Sequence, residues 1–221
     1  MKHIKPHLTQ TGFSLVEMSI VLVIVALLLG SLLPTISSQV EQQRRNETRK
    51  QMDEIKEALI GYAIINKSLP CPAKANIPTG GANAGASDCT VTTGGVLPWA
   101  TLGTSETDAW GRRFTYSVTA TFTTPFTLTS SGTFSVKSVT GGTNVASAIP
   151  AVIVSHGSNG FGAYTPQGTQ LTVSSDADEA DNSISDLTFV SHDFTSTFDD
   201  LVVWISPNTL FNRMVAAGQL P

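Results

Sequence analysis

A single carboxylate, Glu17, sits in a stretch that otherwise carries no charge, residues 13–33. As a helix these 21 residues would reach about 30 Å, the thickness of a bilayer's hydrocarbon core. An ionisable side chain inside such a segment is costly and marks a functional position by default. The remedy is a cationic partner on a neighbouring chain, so the segment reads as built for assembly as well as for anchoring.

The residues ahead of it differ in character. Residues 1–12 include Lys2, His3, Lys5 and His7 and no acid. Positive charge before an apolar run holds the amino terminus in the cytoplasm and sends the rest of the chain outward. A secretory signal would have an apolar core of about 7–15 residues ending in a small-residue cleavage site. Here the run is longer and flows into a helix, and the break in character falls earlier, at Gly12.

Gly12-Phe13-Ser14-Leu15-Val16-Glu17 behind a short basic leader resembles the class III leader of type IV pilins and pseudopilins. The resemblance implies that a prepilin peptidase cuts after Gly12 and methylates the new amino terminus at Phe13. It implies that Glu17, fifth in the mature chain, neutralises the Phe13 amine of an adjacent subunit. Its implied partners are other pilin or pseudopilin subunits, an inner-membrane assembly platform with a cytoplasmic ATPase, and membrane lipid before assembly. The implied location is the inner membrane, single-pass, with the head in the periplasm, and then a pilus or pseudopilus fibre. On the residues alone, a Glu17 solvated at the membrane surface is the alternative.

Beyond the apolar run, Pro34 is placed to kink the helix without ending it. Residues 37–66 keep a helical pattern, polar all round over 41–50, which suits a neck. Met52, Ile55, Leu59 and Tyr62, broadened by Ala58, Ala63 and Ile65, then form an apolar stripe expected to pack on a sheet. Leu69-Pro70-Cys71-Pro72 ends the helix. The chain therefore divides into a leader (1–12), a membrane and assembly helix (13–33), a neck with the amphipathic half of the helix (34–70) and a globular head (71–221).

In the head, residues 72–95 read as a long surface loop. Cys71 and Cys89 are the only cysteines, and a disulfide between them is the natural reading if this side is the periplasm. In a reducing compartment they would be free thiols. Strands are expected at 113–122, 126–129, 133–139, 151–155, 187–191 and 201–205, with a hairpin turn at Ser130-Ser131-Gly132 and another break at Gly141-Gly142. Asp108-Ala109-Trp110-Gly111 resembles an element of type II secretion pseudopilins and reads as a packing corner. A short last helix is signalled by Ser206, Pro207 and Gly218, burying Leu210, Phe211, Met214 and Val215. The fold class is α+β: a long N-terminal helix, half membrane and half amphipathic, on a mainly antiparallel sheet, with a short C-terminal helix.

Charge narrows the function. The net charge is −4, but residues 13–67 balance six acids with six bases, whereas from 68 onward five bases face eleven acids. An acidic head argues against nucleic acid as a partner. No cofactor is required by the sequence. Asp176, Asp178, Glu179, Asp181 and Asp186 lie in a loop-like acidic stretch, with Asp193, Asp199 and Asp200 shortly after, and the first four could offer oxygen ligands to Ca²⁺. The major pseudopilin of type II secretion binds calcium in a loop near its C-terminus, so the resemblance adds to that idea; the bland reading is a solvated acidic loop. Ser155-His156 and Ser191-His192-Asp193 pair serines with histidines, but strand neighbours point to opposite faces, and no G-x-S-x-G elbow occurs. The glycine-rich segment 157–162 lacks the lysine of a P-loop and reads as a turn. The chain reads as a non-enzymatic structural subunit of a pilus or type II secretion pseudopilus; a tip minor pilin acting as adhesin or ligand-binding module is the alternative.

Overall fold

The structure, a computed structural model, describes residues 12–91, 95–183 and 187–220, with the side chains of 29–36 outside the description. The leader residues 1–11 lie outside it too. The chain divides between Gln43 and Arg44 into two units. Helix α1 spans Leu15–Asn66, 52 residues. In the first unit its described apolar side chains are exposed, among them Leu15, Val16, Leu22 and Leu27. Among the described residues no helix is long and apolar enough to cross a membrane. The expected span 13–33, and the expected kink at Pro34, run into positions whose side chains lie outside the description.

In the second unit the amphipathic half of α1 presents Met52, Ile55, Leu59, Ile60 and Ala63, all buried. They are three or four residues apart, apart from the neighbours Leu59 and Ile60. That spacing keeps them on one face. Tyr62 is only half-buried, and Ile65 is 80% exposed. Ile65 therefore does not widen the stripe as expected, because two residues beyond Ala63 the helix has turned away from the sheet.

The remaining elements are α2 (Trp99–Leu102), β1 (Thr115–Val118), a 3₁₀ turn (Ala120–Phe122), β2 (Phe134–Lys137), β3 (Asn144–Ile149), β4 (Ala151–Ser155), α3 (Ala177–Ser183), β5 (Thr188–Val190), β6 (Leu201–Ile205) and α4 (Pro207–Ala216). This is an α+β arrangement with two three-stranded sheets, ordered β1-β4-β6 and β3-β2-β5. The first is antiparallel throughout. In the second, β2 pairs antiparallel with β3 and parallel with β5.

Strand β4 explains the layering. All five of its residues are buried, so it is covered on both faces. Ala151 and Ile153 join α1, Tyr116, Leu201, Ile205, Leu210 and Met214 in one core. Val152 and Val154 join Phe134, Val136, Ile149 and Phe189 of the second sheet in another. A continuous apolar run is what a doubly covered strand requires.

Several expected boundaries move. The strand at 113–122 shortens to β1, and its end becomes the 3₁₀ turn, where Phe122 is buried beside Phe126 and Phe211. Residues 126–129 form no strand; Ser130 and Thr127 close a turn on each other instead. The hairpin turn is therefore not at Ser130-Ser131-Gly132 but at Gly141-Gly142, joining β2 to the unforeseen β3. The 72–95 loop is tied by the Cys71–Cys89 disulfide, yet it is not wholly superficial. Ala73, Ala75 and Val96 form a small core of their own. In α4, Leu210 and Met214 are buried, but Val215 is 47% exposed. Ser206 makes no side-chain cap there, so Pro207 and a left-handed Gly218 mark the ends.

Candidate functional site

Two places carry chemistry. The first is the start of α1. Residues 12–14 lie outside the helix, and Phe13 is 83% exposed. The backbone N–H of Glu17 donates to Ser14 Oγ at 3.2 Å, while the backbone N–H of Ser14 donates to Glu17 Oε2 at 2.9 Å. This reciprocal pair is a capping box, which satisfies two otherwise orphaned amides at a helix start. Reading Glu17 only as an acid in need of a neighbouring chain misses it, although the S-x-x-E spacing is its sequence signal.

The second place is a buried acidic centre in the head, built by three segments. Asp199 and Asp200 stand just before β6, Glu179 lies on α3, and the loop after β4 closes over them. Asp199 Oδ2 accepts the backbone N–H and hydroxyl of Ser158 and the backbone N–H of Asn159. Glu179 Oε1 accepts Asn159 Nδ2 at 2.6 Å and the Asp199 backbone N–H at 3.2 Å. Asp200 Oδ2 accepts Asn182 Nδ2 at 2.9 Å, and Asn182 is itself pinned to β5 through both backbone groups of Val190. Each carboxylate thus gives one oxygen to the protein. The others, Glu179 Oε2, Asp199 Oδ1 and Asp200 Oδ1, are buried without a hydrogen-bond partner.

The electrostatics are correspondingly unbalanced. One oxygen from each of the three carboxylates lies within 4.8 Å of the other two. Burial, aided by the charges of Glu179, Asp199 and Asp176, pushes the Asp200 carboxyl well above its ordinary range against the Asn182 hydrogen bond. His156 gives no relief. Its Nδ1 has no hydrogen-bond partner and stands 3.8 Å from Asp200 Oδ1. Burial, with the Arg112 charge, lowers its pKa to about 4, so it is neutral at pH 7. Arg112 directs its guanidinium to the carbonyls of Gly157 and Ser158.

The acids singled out from sequence separate here. Only Glu179 belongs to the buried centre. Asp178 accepts the Thr140 backbone N–H at 2.6 Å and faces His192 Nε2 at 3.1 Å; Asp181 accepts the Thr140 hydroxyl, and Asp176 accepts the Asp178 N–H. Burial opposes the Asp178 charge, but the Thr140 and His192 contacts outweigh it and lower its pKa. Asp176 and Asp178 line an open groove of about 580 Å³ with Val139, His192 and Phe198. The expected loop is helical over Ala177–Ser183: Asp178 and Asp181, three residues apart, meet at Thr140, while Glu179 points away from them because successive helical residues point about 100° apart. Asp199 and Asp200, left outside the expected ligand set, are visible as an acidic pair before an apolar strand, but nothing local in the sequence ties them to Glu179.

The remaining motifs have structural partners. Ser155 Oγ donates to the buried Asp108, and His156 Nε2 meets Thr115 Oγ1 at 2.9 Å. His192 Nδ1 meets the Asp193 carbonyl. Neither serine is bonded to its neighbouring histidine. Asp108 also accepts the N–H groups of Trp110 and Arg112, and the Ala109 N–H donates to the buried Thr48 of α1. The corner at 108–111 is organised by its aspartate and seated on the helix.

No protein-family model matches the chain, and searches of curated proteins and of solved structures likewise return no match.

Proposed function

We propose that this chain is the precursor of a type IV pilin-like subunit, a structural component of a type IV pilus or a type II secretion pseudopilus. The observation that carries the reading is the start of α1. An exposed, non-helical Gly12–Phe13 peptide precedes a helix whose apolar side chains are exposed from Leu15 to Leu28, with Glu17 the one acid among them. A protease needs an accessible extended peptide, and an apolar surface of this extent needs a cover. Lipid supplies it before assembly and the helices of other subunits afterwards. The head would then be periplasmic, where a Cys71–Cys89 disulfide persists.

Mass spectrometry of the mature chain tests this directly. It should begin with N-methylated Phe13, and Glu17→Ala should be processed and inserted yet fail to enter fibres. An intact leader on a chain that never leaves the monomeric state overturns the reading.

The acidic centre favours an addition: the head holds a divalent cation at Glu179, Asp199 and Asp200. Three buried carboxylates crowded together with free oxygens repel one another, and a cation among them would relieve that repulsion. An all-oxygen set suits a hard cation such as Ca²⁺, which would neutralise the centre and tie α3 to the segment entering β6. Calorimetric titration of the detergent-solubilised chain with Ca²⁺ should give a saturable heat that Asp199→Asn abolishes. No heat and no thermal shift with Ca²⁺, Mg²⁺ or Mn²⁺ removes this addition.

A further inference from the structure

We infer that Ser14 is a positioning residue for Glu17: its hydroxyl closes the capping box that keeps the Glu17 carboxylate back over the amino end of α1 ahead of assembly. The inference rests on reading the chain as a fibre subunit. A carboxylate in apolar surroundings must have its lone pairs met. Before a neighbouring subunit arrives, the helix meets that need itself: the Ser14 N–H holds Oε2 at 2.9 Å, and Ser14 Oγ holds the Glu17 N–H at 3.2 Å. The positive end of the helix dipole favours the charge in the same place.

The box engages Oε2 only, which leaves Oε1 for a second donor. It also fixes the Glu17 side chain in one orientation, beside the peptide at which a new amine would be made. An amine arriving from a neighbouring subunit then meets an already ordered carboxylate, so less side-chain freedom is lost on pairing.

The test uses the full chain in cells that assemble it, with Ser14→Ala, Ser14→Thr and Glu17→Ala. Ser14→Ala should lose its leader normally but enter fibres about five-fold less, the factor carried by loss of one such cap. Ser14→Thr, which can cap equally, should restore the wild-type level. Ser14→Ala keeps the backbone N–H that meets Oε2 but loses the hydroxyl that accepts the Glu17 N–H, so in bilayer-reconstituted chain the opened box should let the ¹³C resonance of the Glu17 carboxyl move, whereas Ser14→Thr should leave it in place. A helix-start role alone would shift the backbone resonances and leave the carboxyl in place.

If Ser14→Ala enters fibres at the wild-type level while Glu17→Ala does not, the positioning role is overturned and the subunit reading stands. A reduced fibre level with an unmoved carboxyl resonance overturns it as well, since Ser14 would then only stabilise the helix. If Glu17→Ala also assembles normally, the pairing falls, and this inference with it.

Discussion

Asp199 Oδ2 accepts both hydrogens that Ser158 offers, its backbone N–H at 2.8 Å and its hydroxyl at 2.6 Å. The glycine-rich loop that superficially suggests phosphate binding therefore turns its donors on a carboxylate of its own chain. Gly157 makes this possible. Its φ is +53°, and a Cβ there would collide with the Asp199 carbonyl oxygen and with Asp199 Oδ1.

Gly157→Ala should therefore destabilise the head by about 2 kcal/mol from backbone strain alone, with the clash added. Gly141→Ala is the control, since it has φ +71° and nothing within 4 Å. Thermal melts should place Gly157→Ala clearly below Gly141→Ala. Because Asp199 Oδ1 is one of the free oxygens, Gly157→Ala should also weaken Ca²⁺ binding, measured by titration. Equal melting temperatures would show that the loop has room to move.

Reduction of the Cys71–Cys89 bond, which closes a loop with a sequence separation of 18, should cost about 3 kcal/mol. The Lys74–Asp88 ion pair at 2.7 Å lies inside that loop but is partly solvent-accessible and should contribute little. Melting with and without reductant, compared with Cys71→Ala/Cys89→Ala, measures the effect. A reduced chain that melts with the oxidised one would show that the small core of Ala73, Ala75 and Val96 holds the loop unaided.

Arg113 is fully buried, an unusual place for a guanidinium. It meets Glu106 at 2.8 Å, donates to the Ala75 and Pro166 carbonyls and lies over the Trp99 ring at 4.6 Å. It thus joins three loop segments that share little regular structure. Arg113→Met keeps the bulk but removes the donor to the Ala75 carbonyl and the cation beside Glu106, leaving Glu106 and the Pro166 carbonyl to Thr79 alone, and should cost about 3 kcal/mol. Denaturant melts of Arg113→Met and of Glu106→Gln check it. The second should be milder, since Gln can still accept from the guanidinium.

The periodic parts of this fold are legible in the sequence because period and burial coincide. Met52, Ile55 and Leu59 mark the buried face of α1, and the apolar runs 151–155 and 201–205 coincide with β4 and β6. The disulfide follows from having only two cysteines. Strand β3 is illegible because Asn144–Ile149 lies mostly exposed on a sheet edge and carries no alternation. The acidic centre is half legible. Glu179 is in the right stretch, but its partners lie 20 residues on, and their convergence depends on Asn182 gripping β5. Such long-range pairings leave no local trace in a single sequence. Glu17 is the reverse case: its apolar surroundings draw attention outward to another chain, and away from a serine three residues before it.

The sharpest test of the centre is its pH dependence without divalent cation. The Asp200 carboxyl is raised well above 3.8 in the folded chain. At low pH it is protonated in both folded and unfolded chains, and its full stability contribution is present. As pH rises past the unfolded value the unfolded chain ionises first, so stability falls until the folded pKa is passed. His156 slopes the other way. With a folded pKa of about 4 against 6.5, it is neutral in both states above 6.5, and its contribution is lost as pH falls toward 4. Comparing the wild type with Asp200→Asn at each pH leaves the His156 slope largely common to both. In chelator, Asp200→Asn should be the more stable chain at pH 8, with the gap closing as pH approaches 4. Saturating Ca²⁺ should reverse that order, because the variant has lost a charge that the cation would use. Melts in which the two chains run parallel across this range, with and without Ca²⁺, would mean that Asp200 titrates alike in the folded and unfolded chains and that the centre holds no cation.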